Sequence, residues 1–158
     1  LAGEVSLEGE TPDYASIARK AAADIGYISH DIGMDATDES LCDVLVYVTT
    51  QSTFINQGVD RDNIDSQGAG DQGLMFGYAC DETEAYDDLK GRFFPLAAAL
   101  SQRLSRRLKS VREDNILPWA RPDGKTQVTV AYNEDGSIIG VDTVIIAIQH
   151  DKHLKDQY

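Results

Sequence analysis

Apolar residues recur along this chain at two periods, and each period predicts a different element. Tyr14, Ile17, Ala18, Ala21, Ala22 and Ile25 fall at i, i+3, i+4, i+7, i+8 and i+11, the stripe of an amphipathic helix with a packed face. Thr11 and Pro12 suit its N-cap and first position, and Gly26 stands where a helix is terminated. Upstream, Val5 and Leu7 alternate with polar neighbours over Glu4 to Glu8, which predicts a short strand. Leu41 to Thr50 is rich in β-branched residues, with Val44, Val46 and Val48 on one face and Leu45 and Tyr47 on the other. It reads as a strand buried on both sides.

From Gln51 to Gln67 the periodicity gives way to Gln, Asn, Asp, Ser and Gly, as in a lid, a binding loop or a linker, and a domain boundary is placed here. Leu74 to Cys80 then predicts a strand, and the acidic run Asp81, Glu82, Glu84, Asp87 and Asp88 leads toward a second helix. In that helix Leu96, Leu100, Leu104 and Leu108, with Ala97 and Val111, form the buried stripe. Arg103, Arg106, Arg107, Lys109 and Arg112 occupy other faces and read as solvated. Thr126 to Tyr132 and Ser137 to Ile148 form a hairpin about Asp135 and Gly136. The order predicts an α+β fold of two similar layered units, mainly antiparallel sheets with helices on one face.

Composition narrows the function classes. The 158 residues are 42% hydrophobic and 26% charged, as in a globular protein. Fourteen Lys and Arg against 27 Asp and Glu give a net charge of -13, which disfavours nucleic acid or an anionic membrane as partner, so any anionic ligand needs a local basic pocket. No apolar run approaches the roughly 20 residues of a membrane span, and the N-terminus lacks a signal-peptide layout, so a cytoplasmic location is expected. Cys42 and Cys80 read as reduced and packed. The sequence opens at Leu1 inside a strand signal, without Met, which points to part of a longer chain.

Gly68, Gly70 and Gly73 satisfy the dinucleotide pattern G-x-G-x-x-G, but a polar stretch precedes them and a strand signal follows, the reverse of the strand-then-helix context that binds a pyrophosphate. His150 and His153 share a helical spacing without a third ligand, and His30 lies in a polar link; no metal ligand is assigned.

The run Gly68 to Tyr78, GAGDQGLMFGY, closely resembles the signature of the S-adenosylmethionine synthetases. GEVS at Gly3 to Ser6, QSTFINQGVD at Gln51 to Asp60 and LPWARPDGKTQVTV at Leu117 to Val130 agree in the same order, as do IGY at Ile25 to Tyr27 and QHD at Gln149 to Asp151. The resemblance implies the family's layered α+β fold, with residues 1–60 closing its first domain in a lid loop over 51–67 and residues 67–158 forming its central domain. It implies formation of S-adenosylmethionine from ATP and L-methionine, with release of phosphate and pyrophosphate and with Mg2+ and K+ as cofactors. By the same resemblance Lys125 and Asp71 are catalytic, Asp123, Gly124 and Lys125 contact ATP, and Glu4 and Gln51 contact methionine. Asp71 would serve the site of a paired subunit in a homodimer or dimer of dimers. Arg121 and Asp123 have a structural alternative, a guanidinium and carboxylate pair that fixes the loop.

The sequence also departs from the family pattern. Its His-Pro-Asp motif and glycine-rich C-terminal loop do not occur in these residues, so little activity is expected of this chain alone. Thr53 and Phe54 replace the usual Pro and Asp of the lid, Ala120 stands where Leu is common, Gln102 where His is, and Ala85 to Phe94 is longer than usual. A noncatalytic subunit that pairs with a complete synthetase is the competing expectation.

Overall fold

A computed structural model describes residues 1–70 and 73–156. The chain divides into two compact units, Leu1 to Phe76 and Gly77 onward. The α+β class expected from the sequence is borne out in both.

In the first unit, helix α1 (Tyr14–Asp24) follows the predicted stripe. Its cap is Asp13 rather than Thr11, because the Asp13 carboxylate accepts from the Ser16 N–H at 3.0 Å and from the Ser16 hydroxyl at 2.7 Å. Those bonds, the backbone one foremost, hold the Asp13 pKa below the ordinary carboxylate range. The stripe is only half-covered: Tyr14, Ala18 and Ala22 are half-buried, whereas Ile17 and Ile25 are exposed. The strand expected over Glu4 to Glu8 lies earlier, as β1 (Ala2–Val5). A two-residue antiparallel pair, β2 (Ile28–Ser29) with β3 (Met34–Asp35), follows α1. Of the strand expected over Leu41 to Thr50, only β4 (Tyr47–Thr50) forms. It runs parallel to β1, in the register Ala2 to Tyr47 through Val5 to Thr50. Burial on both faces is not observed, since Leu45 and Tyr47 stand open to solvent. Among the described residues β4 has β1 as its one sheet neighbour.

The polar stretch after β4 is not structureless. It contains helix α2 (Thr53–Val59) and a 3-10 turn over Ile64–Ser66. Ile55 and Val59, spaced i to i+4, are its half-buried face, and Asn56 accepts a 2.8 Å bond from the Ser6 hydroxyl just past β1. Gly68 closes against this helix, its N–H donating to the Val59 carbonyl at 2.8 Å. A Cβ on Gly68 would lie 3.0 Å from Val59 Cα, so this motif glycine serves a close backbone approach.

The strand expected over Leu74 to Cys80 is also absent. Leu74, Met75, Phe76 and Tyr78 are 81%, 87%, 91% and 76% exposed and join neither helix nor sheet. An extended segment needs a partner for its backbone groups, and the described residues supply none.

In the second unit, helix α3 (Leu96–Glu113) packs on the hairpin of β5 (Ala120–Tyr132) and β6 (Ile138–His150). Leu89, Leu96, Ala99 and Val130 form its core, flanked by Phe94, Leu100, Val128 and Ile138. The acidic run is a folded turn: Glu82 accepts from the Leu96 N–H at 2.8 Å, a carboxylate at the positive end of α3. Glu84 accepts from the Gly91 N–H at 2.9 Å and the Phe93 N–H at 3.2 Å, and these backbone donors, Gly91 foremost, depress its pKa. The hairpin turn uses Gly136 at φ +83° and the Asp135 carboxylate, which accepts from Ser137.

Candidate functional site

The candidate residues fall into two groups, one in each unit. In the first, Glu4 on β1 is the register partner of Thr49 on β4, and Gln51 follows two residues later. The Gln51 N–H donates to the Val5 carbonyl at 2.9 Å, continuing the parallel ladder beyond the end of β4. Residues 47 positions apart in sequence are thereby brought to the same end of one small sheet. Glu4 is exposed and Gln51 half-buried. Asp71 lies outside the described residues.

In the second unit, Asp123, Gly124 and Lys125 lie on β5, Asp123 within an irregularity in its pairing and the other two directly after it. Ala120 pairs with His150 and Gly124 with Ile148, so four steps on β5 match two on β6 and Arg121-Pro122-Asp123 carries two extra residues. Pro122 has no N–H for the ladder, which is where such a bulge belongs, and bulges turn strands to re-aim neighbouring side chains. Arg121 pairs with Asp151, at the far end of β6, and its NH1 group also reaches the Pro118 carbonyl. The structural pair raised above therefore joins Arg121 to Asp151 rather than to Asp123, because the bulge carries Arg121 toward the outgoing strand. Asp151 further accepts from the His153 N–H at 3.0 Å. That backbone bond, and after it the Arg121 charge, lowers its pKa against the opposing effect of desolvation.

Past the bulge, Gly124 faces α3: a Cβ built there would meet Leu108 Cδ1 at 3.7 Å, an ordinary contact. Lys125 is exposed and lines a shallow cavity of about 520 Å³ with Ser101, Gln102, Ser105, Arg106 and Thr126. The Thr126 hydroxyl ties this wall to α3 through the Ser101 carbonyl and the Ser105 hydroxyl, both at 2.7 Å. Arg106, read from sequence as a solvated helix residue, thus stands beside Lys125. Its position ten residues into α3 gave no local signal of this, since the proximity arises only when α3 folds onto β5.

Among the described residues no three His, Cys, Asp or Glu side chains are placed to hold a metal ion together. His150 is exposed and its ring nitrogen lies 2.8 Å from the Asp151 carbonyl, and His30 is exposed. Cys42 is buried with its Sγ 3.7 Å from Met34 Sδ, Cys80 is half-buried, and both are free. No helix among the described residues is long and apolar enough to cross a membrane.

Residues 66–158 match the family model of the S-adenosylmethionine synthetase central domain. The chain is 44% identical to the S-adenosylmethionine synthase of Corynebacterium kroppenstedtii, over 100% of this chain and 39% of that protein. It is 43% identical to that of Rippkaea orientalis, over 95% of this chain and 35% of the relative. It is 44% identical to that of Bifidobacterium adolescentis, over 94% and 37%. The chain belongs to the S-adenosylmethionine synthetase family and spans little more than a third of the length of these relatives.

Proposed function

We propose that this chain contributes part of the site at which S-adenosylmethionine is made from ATP and L-methionine. The observation that carries the reading is membership of the synthetase family, joined to the bulged strand that presents Lys125. In the reaction the methionine sulfur forms a bond to C5′ of the ATP ribose as the C5′–O bond breaks and triphosphate departs. Water then splits triphosphate to phosphate and pyrophosphate. The displacement needs alignment of sulfur with carbon and positive charge on the leaving group, without a protein nucleophile.

Lys125 supplies an ammonium for a polyphosphate oxygen, with Asp123 and Gly124 beside it shaping the ATP contact. Glu4 takes the methionine ammonium, and Gln51, one residue after β4, contacts methionine at the entrance to the lid over 51–67. Asp71 acts on the substrate ammonium of a paired subunit. Mg2+ and K+ belong to this reading as cofactors. The partner proposed is a second copy of the chain, as a homodimer or a pair of dimers.

The test is the protein as its cell makes it, supplied with ATP, L-methionine, Mg2+ and K+. Formation of the sulfonium product, with Lys125→Ala lowering kcat/KM by about 100-fold and Glu4→Gln raising chiefly the KM for methionine, supports the proposal. Absence of product, or a Lys125→Ala variant of unchanged rate, overturns it and moves the noncatalytic subunit ahead.

A further inference from the structure

We propose that the second unit carries a separate anion pocket that takes a small phosphate monoester. A cavity of about 540 Å³ lies between the turn before α3 and the first turns of that helix, lined by Asp88, Leu89, Arg92, Phe94, Ala99, Gln102, Arg103 and Arg106. Three guanidinium groups face one carboxylate, a local excess of two positive charges in a chain of net charge -13. The three arginines are exposed, so solvent screens their mutual repulsion and they form a local positive surface able to attract an anion.

The internal pairing leaves two of the three charges open. Arg103 is engaged by Asp88 at 2.7 Å, whereas Arg92 and Arg106 have no side-chain partner among the described residues. The two come from different elements, Arg92 from the turn and Arg106 from the middle of α3, and the fold brings both to one cavity. Guanidinium forks match the oxygens of a phosphate bidentately, and two on converging walls suit a dianion better than a single carboxylate.

The remaining wall defines the ester. Leu89 and Ala99 are buried and Phe94 half-buried beneath the arginines, and they form an apolar floor for the organic part. Gln102 adds an amide able to donate or accept beside it. The cavity volume lies within the range of small-molecule sites. Its concavity favours a small ligand over an extended nucleic acid, for which an acidic chain is also unsuited.

The proposal does not rest on the synthetase reading. Lys125 lines a different, adjoining cavity, and Gln102 and Arg106 border both. The experiment is isothermal titration of the 158-residue chain with inorganic phosphate and with phenyl phosphate near pH 7.5. Saturable binding is expected for both, tighter for phenyl phosphate, with each of Arg92→Gln and Arg106→Gln weakening it by about tenfold. Asp88→Asn is expected to tighten binding, because it frees Arg103. A purely structural role for the Asp88–Arg103 pair would not do so. Lys125→Ala, which removes the proposed ATP contact, leaves phosphate binding unchanged if the pocket is separate. These variants alter exposed side chains and leave the core of Leu89, Leu96, Ala99 and Val130 intact, and unchanged circular dichroism confirms it. Absence of saturable binding by the unsubstituted chain overturns the proposal, as does binding that Lys125→Ala abolishes while both arginine variants retain it.

Discussion

Arg121, within the bulge of β5, is ion-paired to Asp151, the residue that follows β6. The pair fastens the two open ends of the hairpin on the side opposite its turn, and the Asp151 N–H also donates to the Trp119 carbonyl at 2.8 Å. Two stretches far apart in sequence, RPDGK and QHD, thereby form one clasp that fixes the strand carrying Lys125.

This clasp has a defined pH dependence. The Asp151 pKa is depressed in the folded chain, so its contribution to stability is present above the unfolded-state value, at about pH 4, and is lost as pH falls through the folded value. Asp13, Asp38, Glu84 and Asp135 are depressed in the same direction, each by hydrogen-bond donors. The melting temperature is therefore expected to be flat from pH 7 to about 5 and to fall below about 4. Asp151→Asn should melt earlier at neutral pH and lose less on acidification. A variant with the parent's full acid sensitivity would remove Asp151 from the account.

Thr83 anchors the turn before α3. It is completely buried, and its hydroxyl accepts the Phe94 N–H at 3.2 Å. Thr83→Val keeps the shape and removes the acceptor, leaving a buried N–H unpaired at a cost of about 1–3 kcal/mol. Denaturant unfolding should show a lower midpoint with an unchanged slope.

The legibility of these features in the sequence follows the range of the interaction that creates them. The stripes of α1 and α3 and the Asp135-Gly136 turn depend on neighbours a few residues away, and they were readable. Helix α2 was hidden because only Ile55 and Val59 mark its inner face within a polar stretch. The Leu41 to Val46 part of the strand expected over Leu41 to Thr50, and the strand expected at Leu74 to Cys80, failed for the opposite reason. Their apolar content is genuine, but a strand exists only with a partner, and sequence pattern does not report whether one is supplied. At the site, the motifs marked Glu4, Gln51 and Lys125, whereas the Arg121–Asp151 clasp and the place of Arg106 beside Lys125 come from long-range folding. The strand read from Thr126 begins six residues earlier, at Ala120, so Pro122 and the bulge around it lay outside the strand pattern.

Leu96 tests how far α3 depends on its first turn. It is 3% exposed, packs in the core with Leu89, Ala99 and Val130, and gives its N–H to Glu82. Leu96→Ala removes the side chain and retains the backbone bond, so the expected loss of about 2–5 kcal/mol is a packing loss. Glu82→Gln retains an acceptor but removes the charge at the helix N-terminus, and its cost should be smaller, about 0.3–1 kcal/mol. Chemical denaturation of both variants checks the order. An equal or larger loss in Glu82→Gln would place the anchor in the cap instead of the core.

The proposed pairing of two copies makes a further prediction through β6. Ile139, Val141, Val144, Ile145 and Ile146 on that strand are each about half-exposed or more, an apolar density that isolated strands of stable monomers rarely leave uncovered. Val141 and Val144 line the groove beside α3, whereas Ile145 is the register partner of the exposed Gln127. A lysine at position 145 would place a charge in any apolar contact made there, and lysine on an open strand discourages pairing with another chain. Sedimentation equilibrium of the unsubstituted chain should show concentration-dependent dimers, and Ile145→Lys should shift the equilibrium strongly to monomer with unchanged circular dichroism. A chain that stays monomeric at high micromolar concentration, or a dimer indifferent to Ile145→Lys, would exclude this part of the hairpin from the pairing surface.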